Sequence, residues 1–269
     1  MNREIYEGED RHASVLRTLL VGKRFLYILV FQFLTFVFAI YELIRSTERL
    51  SSLIRFVEEA ASFLHIDISS LLESLENIAF RLDALFFVWN LTQLILLTIL
   101  VLGCFLMRFG ANNECRQWMI RGIRLCECYC VLNIVVHLLT ILVLAVLVNI
   151  VTVSSLWVLV VVAVILIVGI SIFRYIYFGK LSSFLKCARG RLAGTSNTVV
   201  YSPYVILWGR VWFLVQIIGA FRKFLTNTGS ITSQIRVFTS IPTLIATVCT
   251  ATCVLLVSEL LSAYRKRTR

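Results

Sequence analysis

An all-α, polytopic transmembrane helical bundle of about six spans is the fold class this 269-residue sequence predicts, on three observations. Apolar residues make up 59% of the chain and charged residues 15%, with a mean hydropathy of +0.89, which leaves too little polar surface for a soluble domain. The apolar residues fall in long blocks, several of them near the roughly 20 residues that cross a hydrocarbon layer. Only two prolines occur and no segment alternates apolar with polar, so long helices are expected and a β-barrel is not.

The elements follow in order. Residues 1–24 form an inner tail of mixed charge, without a signal-peptide layout. The block 25–41 is the first span. No small-residue cleavage site follows it, so it reads as a retained signal anchor. Spans two, three and four are the blocks 84–107, 125–150 and 154–173, and the last is 237–257. Together, residues 25–257 make one transmembrane domain, and 258–269 are a basic inner tail.

Between spans one and two, residues 45–83 are the one soluble-looking stretch, on the outer side. Leu50, Ile54, Val57, Ala61, Leu64, Ile68, Leu71, Leu75, Ile78 and Leu82 repeat at alternating four and three, the seam of helices that pack lengthwise. Two helices are expected, about 45–64 and 70–83, with the second started by the capping box Ser70-Leu71-Leu72-Glu73 and running into span two. Their seams suit an intramolecular hairpin, an interfacial pair, or a coiled coil that binds a partner or a second copy.

The block 199–221 decides the count. Its length suffices to cross, but Arg210 sits at its centre, where a charge costs about 2.5–3.5 kcal/mol. Six spans place 18 Lys and Arg inside and 7 outside, with both termini inside. Five spans would put the C-terminal tail outside. The tail Tyr264-Arg265-Lys266-Arg267-Thr268-Arg269, directly after the last span, favours six. None of the eight cysteines falls in an expected outer loop, which fits the same orientation.

The net charge of +11 is spent on these flanks, where Lys and Arg meet anionic headgroups, so no nucleic-acid partner is expected. The inner segment 174–197 alternates Phe178, Leu181, Leu185, Ala188 and Leu192 with Lys180, Lys186, Arg189 and Arg191. It reads as a basic interfacial helix in contact with anionic lipid. Span four carries no polar midpoint and reads as a lipid-facing helix.

Chemistry has few places to sit. Three histidines, far apart in sequence, have no metal-binding spacing, and no nucleophile elbow, phosphate loop or dinucleotide motif occurs. No catalysis, metal or cofactor is expected. What remains is a set of polar groups near span midpoints: Gln32, Gln93, Asn133, His137 and Arg210. By depth, His137 and Arg210 lie at one level, where two readings stay open: an intramembrane polar cluster that the two share, or polar groups that only bond helix to helix. The threonines 239, 243, 247 and 250 form a stripe suited to bonding between helices.

In Leu125-Cys126-Glu127-Cys128-Tyr129-Cys130, helical geometry puts Cys126, Cys130, Asn133 and His137 on one stripe and Cys128 on the far side. Helix packing explains the stripe, and S-acylation of Cys126, Cys128 and Cys130 is the alternative for the thiols. The expected function is non-catalytic, that of an accessory or scaffolding subunit or membrane organiser. The alternative is a small-solute or ion transporter or channel using the mid-membrane cluster.

Overall fold

The computed structural model describes residues 13–46, 69–150, 157–195, 204–228 and 233–268, and every regular element among them is a helix. A short helix over 13–21 bends at Gly22 into α1 (Lys23–Ser46). Then come α2 (Ser69–Asn112), α3 (Arg116–Ile150), α4 (Trp157–Leu192), α5 (Tyr204–Thr228) and α6 (Ser233–Thr268). Each of α1 to α6 packs against its neighbours in sequence, and α6 returns to α1, so the helices close into a six-membered ring.

Among the described residues, four helical stretches are long and apolar enough to cross a membrane: Lys23–Tyr41, Phe87–Asn112, Arg116–Leu139 and Leu244–Arg267. Their outward side chains are apolar as well; Phe33 is 52% exposed, Leu139 57% and Ile218, on α5, 68%. Water would penalise that surface, and hydrocarbon does not.

Several elements differ from the expectation in length. The inner segment 174–197 is not a separate interfacial helix, because α4 runs unbroken from Trp157 to Leu192. No proline interrupts it, and its end comes only at Gly194, whose φ of 71° lets Thr195 N–H reach the Gly190 carbonyl at 2.9 Å. Likewise α6 continues through the basic tail to Thr268. The helix expected from residue 70 into span two is present as the start of α2 at Ser69. The other expected outer helix, about 45–64, lies outside the described residues from 47 onward.

Arginines tie the chain together at one end of the ring. Arg17 donates to the Ala111 carbonyl at 3.0 Å and pairs with Glu114, while Arg108 reaches the Leu20 and Gly22 carbonyls at 3.4 Å. Arg116 donates to the Arg191 carbonyl at 3.3 Å, the last turn of α4, where carbonyls lack helical partners. Arg189 pairs with Glu127 at 3.3 Å, and Arg24 with Glu259 at 3.9 Å. The ends of α1, α2, α3, α4 and α6 are thereby gathered at this basic end, and Leu16 of the 13–21 helix packs into the clusters beneath them.

Close packing along the ring rests on glycine. A Cβ built on Gly122 of α3 would lie 2.6 Å from Met107 N and 2.7 Å from Gly103 O of α2, and backbone atoms cannot yield as a side chain can. Gly169 in α4 has nothing within 4 Å. Gly122→Ala is therefore expected to destabilise the protein by about 1–3 kcal/mol through overpacking, whereas Gly169→Ala leaves stability level or slightly raised. Thermal unfolding of both variants in mild detergent checks this, and a Gly122→Ala protein as stable as the parent would contradict it.

Candidate functional site

The ring is not filled. A central cavity of about 190 Å³ is lined from every one of the six helices, far more than the water-sized voids usual in close-packed interiors. Its wall is mainly Leu, Ile, Phe, Met and Cys side chains. Gln32 of α1, Arg174 of α4, Gln216 of α5 and Thr250 of α6 border it as well, with the tyrosines 129, 177 and 264. At the basic end Leu16, Leu19 and Leu20 of the chain before α1 line it and stand as a stopper.

Among the residues that line the cavity, Arg174 is the cation. Its Nε donates to Asn133 Oδ1 at 2.9 Å, and its Nη1 donates to His137 Nε2. Asn133 is 2% exposed, and both acceptors lie one turn apart on α3, within the apolar stretch Arg116–Leu139. The guanidinium carbon also stands 5.8 Å from the ring centres of Phe178 and Trp212, an arrangement that shields the charge with aromatic faces. Trp89 of α2 covers the other side of His137, with ring centres 5.7 Å apart. Because Nε2 accepts from Arg174, the neutral imidazole carries its proton on Nδ1, which is buried without a hydrogen-bond partner.

The expected cluster thus exists in part, with a different arginine. His137 and Asn133 do share a face and a partner, but that partner is Arg174, not Arg210. Arg210 follows Gly209 on α5, which faces Ser258 and Tyr177. Its own side chain is exposed on the ring's outer side, six residues from the helix start, where it can reach headgroups. Gln93 is on α2 one turn from Trp89, with Nε2 buried and unpartnered. Gln32 borders the cavity, and its amide bonds the Cys253 thiol of α6. Most side chains of the expected span four, 154–173, lie outside the described residues; beyond it, α4 supplies Arg174, Tyr177 and Phe184 to the interior. A signal for this was present: Arg174 is in phase with Phe178, Leu181, Leu185, Ala188 and Leu192.

The other predicted positions separate by exposure. Cys126 and Cys130 are buried, at 4% and 1%, and both border the cavity, so neither can be an acylation site in this fold. Cys128 is exposed. Lys180 and Lys186 are exposed at the basic end, whereas Arg189 is committed to Glu127 and Arg191 reaches Tyr264. Among the described residues no group of three His, Cys, Asp or Glu side chains is placed to hold a metal. Thr250 donates to the carbonyl four residues back in its own helix at 2.8 Å rather than across to another.

These features define an α-helical membrane protein with a polar clamp between two helices and a cavity beside it. No family model matches the chain, and no curated protein or solved structure shows significant similarity to it.

The clamp predicts coupling between α3 and α4. In a double-mutant cycle, Arg174→Gln and Asn133→Ala are expected to be non-additive by about 0.5–3 kcal/mol of unfolding free energy. Arg210→Gln, on the outer face, changes stability by less than about 0.5 kcal/mol. Strict additivity of the first pair would show that the two side chains do not act together.

Proposed function

We propose that the chain is a six-span integral membrane protein, with both termini on the inner side, that works without catalysis by holding a small solute inside its ring. The carrying observation is the cavity shared by all six helices, with a guanidinium and two amides on its border. These are binding groups. They are not set out as a nucleophile facing a base. This is the small-solute reading of the mid-membrane cluster. It stands ahead of an accessory role acting through residues 45–83, whose heptad lies largely outside the described residues.

Six crossings are supported by the ring itself. α4 packs on α3, and α5 packs on α4 and α6, so both run beside stretches long and apolar enough to cross. The short turn 113–115 sends α3 back along α2, and alternation of this kind brings residues 13–24 and 258–268 to the same basic end. Excess Lys and Arg mark the inner side of a membrane protein.

Two measurements test this. A protease site inserted between Thr228 and Ser233 is expected to be cut only from the outer face, and one inserted between Gly194 and Tyr204 only from the inner face. Cleavage of both from the same face would restore the five-span reading. Native mass spectrometry of the protein, solubilised from its membrane in two unrelated detergents, is expected to show a bound small molecule. A ligand-free protein that instead carries a second polypeptide would return the function to association.

A further inference from the structure

The cavity and the clamp together specify what kind of molecule is held. We infer that the occupant is a single-chain anionic amphiphile: a carboxylate or phosphate head on Arg174, with its hydrocarbon chain along the apolar wall toward the 13–21 helix. The inference rests on the reading of the ring as a binding chamber and adds the class of ligand.

Charge is the first argument. A guanidinium keeps its positive charge in proteins, and in a hydrocarbon-solvated bundle it calls for an anion or full hydrogen bonding. Arg174 has neither from the described residues. Glu114, Glu127 and Glu259 are each paired with another arginine at the basic end. Of its five N–H groups, one is given to Asn133 and one to His137, both neutral acceptors. Arg174 lines the cavity, and a guanidinium fork suits carboxylate or phosphate oxygens.

Neighbouring groups complete the head site. Gln32 and Gln216 border the same cavity, and each has a buried amide oxygen without a partner. A half-turn of the Gln216 amide exchanges its oxygen for an N–H₂ donor. His137 Nδ1 and Trp212 Nε1 are two further buried N–H groups without partners beside Arg174. These groups place unfilled hydrogen-bonding capacity beside one positive charge.

Shape supplies the tail. Arg174 and Thr250 are each fourteen residues, about 21 Å of helix rise, from Ala188 and Tyr264 at the basic end of the same cavity. Along that length the lining turns to Leu20, Ile123, Phe184, Leu185 and Leu261, with no second cation of the described residues facing a distal charge. The cavity would admit on the order of a dozen waters by size, but this wall offers them few partners. A small inorganic anion would leave the wall unused, and a neutral lipid would leave the guanidinium unmatched.

Oleate, its uncharged counterpart oleyl alcohol, oleoyl lysophosphatidate and acetate serve as probes, added separately to the detergent-purified full chain and read by native mass spectrometry. The wild-type protein is expected to retain oleate or lysophosphatidate at least ten-fold better than oleyl alcohol, and acetate is not expected to displace them. Preference for oleate identifies a carboxylate head and preference for lysophosphatidate a phosphate head. Arg174→Gln is expected to reduce retention ten-fold or more, with Arg210→Gln unchanged. Equal retention of oleate and oleyl alcohol by the wild type overturns the anionic assignment while leaving the chamber intact. Retention of none of the three chains overturns the chamber as well, and displacement by acetate overturns the amphiphile. The wild-type comparison needs no variant, so a misfolded Arg174→Gln protein does not blunt the test.

Discussion

A guanidinium placed inside a bundle whose solvent is hydrocarbon must find its partners within the bundle. Arg174 finds them on α3, and that requirement fixes how α3 and α4 face one another. With Asn133 and His137 turned toward Arg174, the helical repeat carries Cys130 and Cys126 inward on the same stripe and leaves Cys128 outside. On α4 the same rotation brings Tyr177 and Phe178, three and four residues on, to the interior. One polar contact thus determines which faces of two helices meet lipid and which meet the cavity.

The void follows from unequal packing around the ring. Glycines let α2 and α3 approach backbone to backbone, and Gly209 lets α5 meet α6 at Ser258. Elsewhere rings stand between the helices: Tyr129 against Phe178 at 5.9 Å and Phe173 against Trp208 at 5.7 Å. Phe184 reaches from α4 to Tyr264 of α6 at 5.7 Å and bridges the ring at its basic end. Helices held close on two sides and apart on others cannot all converge on one axis, and the space left is the chamber. Its lower closure comes from the 13–21 helix, which Arg17 and Arg108 fasten to the end of α2.

Much of this was legible in the sequence. Long apolar blocks announced the helices, Ser70-Leu71-Leu72-Glu73 marked the start of α2 within a residue, and helical phase put Cys126, Cys130, Asn133 and His137 on one face. Hydropathy ends a span at the first charge, so by that signal Arg174 falls in a surface segment and Arg210 in the core. Backbone hydrogen bonding does not stop at a charge, so α4 ran on and carried Arg174 inward. Arg210 showed the converse, since a long side chain near a helix end can leave the bundle and reach the headgroups. Ring closure was not legible at all, because contacts such as α6 on α1 depend on shapes far apart in the chain.

The choice between structural glue and a binding site turns on where hydrogen bonds are left unmade. Polar residues without a partner across helices are satisfied locally, as Thr35, Thr92 and Thr98 are by carbonyls of their own helices. An unmade bond in a buried place costs about 1–3 kcal/mol and is kept only where something compensates it. Here Gln32, Gln216, His137 and Trp212 each retain an unpartnered buried atom, and all four border the cavity or flank Arg174. Four such atoms near one guanidinium are more than fastening two helices requires. The proposed anionic head fits that arrangement, because it would bring a counter-charge for Arg174 and acceptor atoms for the N–H groups of His137 and Trp212.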